Sequence, residues 1–106
     1  MKFYIEYGCG CDGDNYMVIE AKDLAAADKF AYNQAIEEYE SYEGYHGILD
    51  KEQVCEEYGI EDINSEEAEI AYQEERESWL SYSAEEYDEE NDEHVSALEE
   101  FGVWEI

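Results

Sequence analysis

The chain has 106 residues, of which 32 are Asp or Glu and only 5 are Lys or Arg, so its formal net charge is −27. Hydrophobic residues make up 44% of it and aromatic residues 15%, enough apolar material to exclude a simple acidic disordered tail. A small domain needs a net charge of only about 2–8 in magnitude to stay in solution, so solubility alone does not explain this composition.

The first residues carry the pattern of a β-hairpin. Apolar side chains alternate with their neighbours from Phe3 to Tyr7 and again from Met17 to Ala21, which is the two-residue period of a strand. Between these runs lies a glycine-rich segment in which Asp12-Gly13 suits a tight turn. The sequence therefore predicts an antiparallel hairpin over residues 2–9 and 16–22.

A long helix is predicted next, from Asp23, which can cap its start, to Glu43, just before Gly44. Residues at helical spacing form its expected buried face: Leu24, Ala27, Ala31, Ala35, Tyr39 and Tyr42. The small alanines would let this helix approach the sheet closely.

Two further helices have clear start signals. Asp50 and Gln53 form a capping-box pattern and Gly59 is a stop signal, which predicts a short helix over residues 51–58. Ser65 can cap a longer helix that runs to about residue 83. Its expected buried stripe is Ala68, Ala71, Tyr72, Trp79 and Ser83, with Glu66, Glu74 and Glu77 facing away. Ile70 and Leu80 fit neither face, so they either pack on a second neighbour or lie exposed among carboxylates.

The last quarter of the chain is the most acidic. Residues 84–93 contain seven acidic residues and no base, which favours a solvated, mobile loop. Asp92 can cap a short helix whose apolar residues are Val95, Leu98 and Phe101 and which Gly102 ends. Val103–Ile106 alternates like a strand and could pair beside the hairpin.

These elements predict one α+β domain over residues 1–106: an N-terminal β-hairpin, which a C-terminal strand can join, packed against three or four helices. The chain has no apolar stretch typical of a signal peptide or a transmembrane helix. Anionic lipids would repel its surface. Its three cysteines fit a reducing compartment. We therefore expect a cytoplasmic location and no membrane partner.

Metal binding and catalysis have weak signals. Cys9, Cys11, His46 and Cys55 offer atoms that zinc prefers, but their spacing is unlike that of structural zinc sites. The glycine-rich segment has Asp12, Asp14 and Asn15, yet a calcium loop that started at Asp12 would need oxygen ligands where Tyr16 stands and Glu where Asp23 stands. No catalytic motif is present. We expect no catalytic residues, no metal site, no cofactor and no enzymatic activity.

The charge itself has three competing explanations: a basic partner, a high-salt habitat, and metal binding by carboxylates. Residues 1–36 carry six acidic residues and three lysines, whereas residues 37–106 carry 26 acidic residues against Lys51 and Arg76. A halophilic surface would be acidic throughout. The 11 tyrosines and two tryptophans also fit a recognition surface, because these residues are enriched at interfaces. The uneven placement thus favours a basic partner.

Duplex DNA presents about one negative charge per 1.7 Å of its axis, and acidic helices can approach this density. A protein that binds phosphates through Lys and Arg would experience a similar field. The expected partner-binding residues are Glu37, Glu38, Glu40, Glu43, Glu66, Glu67, Glu74, Glu77, Glu85, Glu86, Asp88, Glu89, Glu90, Asp92 and Glu93. The expected partner is a basic nucleic-acid-binding protein, and we expect no direct nucleic-acid binding.

In length, charge, scarcity of lysine and abundance of Glu and Tyr, the chain resembles the small acidic DNA-mimic proteins of phages and mobile elements. The segment from Lys2 to Cys11 (KFYIEYGCGC) also looks like that of small phage proteins. This resemblance implies an inhibitor of a CRISPR or restriction effector, acting in the host cytoplasm if the chain is phage-encoded. Alternatives are an immunity protein or antitoxin that neutralises a basic nuclease, and an acidic scaffold or chaperone for basic clients.

Overall fold

A computed structural model, which describes residues 1–9, 15–44 and 47–106, contains a four-stranded mixed sheet with helices packed on both faces, an α+β fold as predicted. The elements are β1 (Lys2–Gly8), β2 (Asn15–Glu20), α1 (Leu24–Tyr42), α2 (Lys51–Tyr58), α3 (Glu66–Trp79), β3 (Ser81–Glu86), α4 (Asp92–Phe101) and β4 (Val103–Glu105).

The strand order is β3-β1-β2-β4. β1 and β2 form the predicted antiparallel hairpin, with Ile5 opposite Met17, and its proposed Asp12-Gly13 turn lies outside the described residues. β4 pairs parallel to β2 with Trp104 beside Ile19, which confirms that the C-terminal segment returns to the hairpin. β3 occupies the other edge of β1, antiparallel to it.

The two faces of the sheet carry different helices because successive side chains of a strand point to opposite sides. On one face Phe3, Ile5 and Ile19 pack against Ala27 and Ala31 of α1. On the other face, Tyr4 and Val18 pack against Ala97 of α4. The part of the hairpin around residues 3–5 and 18–19 is thus buried on both sides.

The ends and the buried face of α1 are largely as predicted. The Asp23 carboxylate caps the helix by accepting a hydrogen bond from the Ala26 N–H at 2.8 Å. Leu24 was expected on the buried face but is 52% exposed. It belongs to the first helical turn, and the buried stripe starts only at Ala27, where the helix passes over the sheet.

The start signals of α2 and α3 are confirmed. Asp50 and Gln53 exchange both hydrogen bonds of a capping box at 2.8 and 2.9 Å, and Gly59 ends α2 in the left-handed region at φ 69°. Ser65 caps α3 through the Ala68 N–H. Because these signals act within four residues along the chain, no distant contact is needed to interpret them.

The predicted end of α3 near residue 83 is wrong, since the helix stops at Trp79 and residues 81–86 form β3. Ser83 is therefore an exposed strand residue, and Ala84 instead packs against the core beneath α1. Local propensity favours helix here because Ala and Glu are good helix formers. Backbone pairing with β1, in which Ala84 lies opposite Ile5, outweighs that preference.

The loop predicted over residues 84–93 is shorter than expected, since only residues 87–91 lie outside strands and helices. Its first part belongs to β3, and its last part begins α4, whose cap is Asn91 rather than Asp92. The Asn91 side chain accepts hydrogen bonds from the backbone of Glu93 and His94 at 2.9 and 3.3 Å. The predicted end at Gly102 is confirmed.

The apolar face of α4 also differs from expectation. Its buried residues are His94 and Ala97. Val95 and Leu98 are only half-buried, and Phe101 is exposed. The helix packs on Val18 of β2 and on Tyr4 of β1, and only His94 and Ala97 of its inner face are buried.

The molecule is elongated, with extents of 52 × 26 × 17 Å and a radius of gyration of 16.3 Å. A compact domain of this length has a radius of about 13 Å. The half-buried residues Tyr72 and Trp79 attach α3 to a cluster around Tyr39 and Ile48, while α2 packs mainly on α3. Within the described part of the chain, no helix is both long and apolar enough to cross a membrane.

Candidate partner-binding surface

All 15 acidic residues that the sequence singles out lie in the described part of the chain. Thirteen are exposed, and Glu38 and Glu43 are half-buried. They occupy the second half of α1, both ends of α3, the outer edge of β3, the turn after it and the start of α4. They are therefore spread over much of the surface rather than gathered around one cleft.

The chain contains few cations to neutralise these carboxylates. Among the described residues, Lys51 is the only Lys or Arg in an ion pair, with Glu69 at 2.9 Å. The N-terminal amine pairs with Glu20. Arg76 lies over the Tyr72 ring at 5.6 Å and Lys2 over the Tyr87 ring at 5.9 Å. Most of the negative charge is thus uncompensated within the described fold.

The elongated shape sets the density of this charge. A net charge of −27 spread over 52 Å is one charge per about 1.9 Å, close to the value of about 1.7 Å for duplex DNA. The length corresponds to about 15 base pairs at roughly 3.4 Å each. A rounder molecule of the same composition would have concentrated its charge on a shorter body.

Tyrosine hydroxyls take part of the role that Lys and Arg have in other proteins. Tyr72 donates a hydrogen bond to Glu43 and Tyr32 donates one to Glu77. Glu77 is exposed, as predicted, and its carboxylate still reaches the Tyr32 hydroxyl of α1. A neutral phenol donates a hydrogen bond to a carboxylate without removing its charge. These contacts therefore stabilise the fold and leave the negative electrostatic potential unchanged.

Burial and nearby carboxylates raise the pKa values of Tyr72 and Tyr39. Burial, the hydrogen bond to Glu43 and its charge raise the pKa of Tyr72 well above the usual range. The pKa of Tyr39 is raised to about 12, first by burial and then by Glu75 and Glu43. Both hydroxyls therefore remain protonated donors at neutral pH.

Glu75 is a structural residue that sequence reasoning missed. Its side chain accepts hydrogen bonds from the Trp79 indole at 3.2 Å and from the Tyr58 hydroxyl at 3.3 Å, and so it links α3 to the end of α2. The four-residue spacing of Glu75 and Trp79 on one helix is a sequence signal for the first contact. The second depends on how α2 packs.

Among the residues that the structure describes, His94 is the only polar one that is buried, at 2% exposure. Its Nδ1 accepts a hydrogen bond from the Asp88 N–H at 2.9 Å, and its Nε2 lies 2.6 Å from the Glu85 carboxylate. The tautomer that satisfies both contacts carries the proton on Nε2. The ring also stacks on Tyr4 at 4.3 Å. His94 thus holds the turn between β3 and α4, and Glu85 has a structural role in addition to its predicted binding role.

A groove of about 440 Å³ lies between α2 and α3. Tyr58, Ile60, Ile70 and Ala71 provide its apolar surface, and Glu66, Glu67 and Glu74 form an acidic rim. Ile70 and Leu80, which fitted neither face of the predicted helix, lie in different environments. Ile70 is 49% exposed in this groove, whereas Leu80 packs in the cluster around Tyr39.

The proposed zinc ligands are only partly described. Cys9 and Cys55 are free and buried, with Cys9 packed against Tyr39 and Ile48, whereas Cys11 and His46 lie outside the described residues, as do Asp12 and Asp14. Over residues 1–9, 15–44 and 47–106, no group of three or more His, Cys, Asp or Glu is placed to hold a metal ion.

Comparison with protein-family models, with curated proteins and with solved structures gives no match. The resemblance to acidic DNA mimics therefore stays a prediction that rests on composition and on charge.

Proposed function

We propose that this chain is a non-enzymatic nucleic-acid mimic that binds and inhibits a basic nucleic-acid-binding host protein. The partner class we favour is a CRISPR or restriction effector, which would make the chain a phage anti-defence inhibitor. The observation that carries the proposal is the charge of −27 along a body 52 Å long, a linear density close to that of duplex DNA.

Such a density is unfavourable for the isolated protein, because like charges repel one another in the compact state. A basic partner relieves that repulsion. Complementary potentials also accelerate encounter and suppress wrong partners. A cleft lined with Lys and Arg for phosphates would therefore attract this chain and, once occupied, would be closed to nucleic acid.

Apolar groups among the carboxylates supply contacts that charge alone does not. Ile70 and Tyr58 are exposed beside the acidic rim of the α2–α3 groove, and flat or apolar side chains contribute to affinity where they become fully desolvated. Binding is thus expected to combine long-range steering with a short-range apolar component.

The test compares two triple variants that remove the same charge. Glu66, Glu67 and Glu74→Gln removes the rim of the α2–α3 groove; these three carboxylates accept no recorded hydrogen bond in the described structure. Glu52, Glu56 and Glu57→Gln removes three charges from α2 and is the matched control. The rim set removes Glu66 and Glu67 from the first turn of α3, whereas the control removes only Glu52 from the first turn of α2, so the rim variant should lose slightly more helix stability.

The partner is first captured from host lysate on the immobilised chain, and duplex DNA is then added as a competitor. We expect DNA to displace the captured protein. Each rim contact contributes under about 1 kcal/mol, so the rim variant should lose up to roughly 100-fold in affinity. The loss should lie mainly in slower association at low salt. The α2 control should lose only a few-fold.

A captured protein that DNA does not displace, and that binds both triple variants as well as the original chain, would refute mimicry. If Ile70→Ala abolishes binding while the charge variants do not, recognition is apolar and the charge is background. A captured cognate nuclease that is bound beside its active site would point instead to an immunity protein or antitoxin.

A further inference from the structure

A second groove, of about 350 Å³, lies on the α4 side of the sheet. It is lined by Tyr4 and Glu6 of β1, Tyr16 of β2, and Asp92, Glu93 and Ser96 of α4. Glu6 and Tyr16 are directly opposite each other in the hairpin register, so their side chains leave the same face of the sheet. α4 covers Tyr4 but leaves Tyr16 40% exposed, and an open space with aromatic walls results.

The groove is strongly anionic. The Tyr4 hydroxyl donates a hydrogen bond to Glu6 at 3.1 Å. Burial, then Glu6, and then Glu93 raise the pKa of this phenol well above its usual value. None of the five Lys and Arg residues, all of them in the described part of the chain, has a recorded ion pair with Glu6, Asp92 or Glu93.

Aromatic faces and carboxylates together match one kind of ligand. A guanidinium group is planar, stacks on aromatic rings, forms paired hydrogen bonds with carboxylates and is more weakly hydrated than an ammonium. Phosphates and other anions would be repelled by the three carboxylates. A second copy of this chain is a poor source of the cation, because its single arginine, Arg76, lies over its own Tyr72 ring.

We propose that this groove binds an arginine side chain of the basic partner, with the guanidinium on the exposed face of Tyr16 and its N–H groups donating to Glu6 and Glu93. The role in partner binding rests on the proposed function. It adds to that function a defined anchor on the surface, so that part of the recognition depends on shape and on arginine rather than on net charge.

The test needs no partner. N-acetyl-arginine amide is titrated into the isotopically labelled chain, and backbone amide shifts are followed by NMR. The corresponding citrulline amide has nearly the same shape without the charge, and the lysine amide has the charge without the planar fork. We expect saturable shifts confined to Tyr16, Glu93 and Ser96 with the arginine probe, and weaker binding of both comparison compounds.

Variants locate the site. Glu93→Gln should weaken arginine binding by roughly fivefold, the upper end for one exposed charge contact, and Tyr16→Leu should weaken it further. Glu99→Gln is the matched control, since it removes the same charge from an exposed position on the same helix and should change the affinity by less than twofold.

Equal binding of citrulline would overturn the proposal, because stacking alone would then suffice. Equal binding of lysine, or shifts spread over the whole acidic surface, would also overturn it and would leave only a diffuse cation atmosphere. These outcomes do not depend on DNA competition. The arginine site can thus be refuted while nucleic-acid mimicry is supported, and mimicry can be refuted while the groove still binds arginine.

Discussion

Tyr39 is where the α2–α3 pair is attached to the sheet-bearing part of the molecule, so its substitution should have effects beyond the loss of one side chain. The residue is fully buried on α1 and packs with Cys9 and Ile48. Its ring meets that of Tyr72 edge-on at a centroid distance of 6.3 Å. Its hydroxyl donates to the Leu49 carbonyl at 2.8 Å.

Two substitutions separate the ring from the hydroxyl. Tyr39→Phe removes only the hydrogen bond to Leu49, so the free energy of unfolding should fall by about 1 kcal/mol. Tyr39→Ala also removes the ring and leaves a cavity, which for buried aromatic residues costs about 3–5 kcal/mol. A domain of this size has roughly 5–15 kcal/mol in total, so the Ala variant should lose a large part of its stability.

Urea unfolding followed by circular dichroism at about 0.15 M salt measures both losses. Hydrogen exchange of the α2 and α3 amides should accelerate first in the Ala variant, because the cluster that anchors these helices is gone. If the two variants were equally stable, or if Tyr39→Ala cost less than about 1 kcal/mol, this account of the anchor would be wrong.

The same residue predicts a dependence on alkaline pH. The pKa of Tyr39 is raised from 10.0 to about 12 in the folded state, so the folded chain holds the phenol proton more tightly than the unfolded chain. The contribution is fully present below about pH 10 and is lost as pH rises towards 12. The stability advantage over Tyr39→Phe, measured by urea unfolding, should therefore shrink across this window. A constant difference would contradict the assignment.

Three further expectations concern the core, the salt response and metal. His94→Ala leaves the Asp88 N–H without its acceptor and opens a cavity, so we expect a loss of about 2–4 kcal/mol in thermal or urea unfolding; a loss within about 0.5 kcal/mol would argue against a structural role. Circular dichroism should show a folded chain at about 0.1 M salt, with stability rising as salt screens the repulsion. Folding only near molar salt would indicate a halophilic protein. Elemental analysis should find no stoichiometric zinc, and one zinc per chain would make Cys9 and Cys55 candidate ligands again.

Elements defined by nearby residues could be predicted from the sequence. The capping box of Asp50 and Gln53, the Ser65 cap and the glycine stops at 59 and 102 all occur where expected. The hairpin follows from alternation within each strand, and its observed ends lie within two residues of the predicted ones. In each case the stabilising contact joins residues that are close in sequence or that share one simple period.

The candidate surface was predicted in part. Exposure of most of the selected carboxylates follows from the cost of burying an unpaired charge. The hydrogen bonds that Glu43 and Glu77 accept from tyrosines do not follow from it, because they depend on how α1 packs beside α3. Tyr4, Glu6 and Tyr16 were not selected at all. The hairpin register could have predicted that these three residues share one face of the sheet. It could not have predicted that the start of α4 lies above them.

The sequence by itself therefore determined the net charge, the hairpin and the ends of most helices, since these depend on composition and on local hydrogen bonds. The tertiary structure decided that residues 81–86 form a strand, that His94 is buried, and that the charge extends over 52 Å. Each of these outcomes depends on contacts between distant parts of the chain, such as Ala84 with Ile5. The free energy of such pairing depends on the partner strand, so the strand over residues 81–86 could not be predicted from the local sequence pattern.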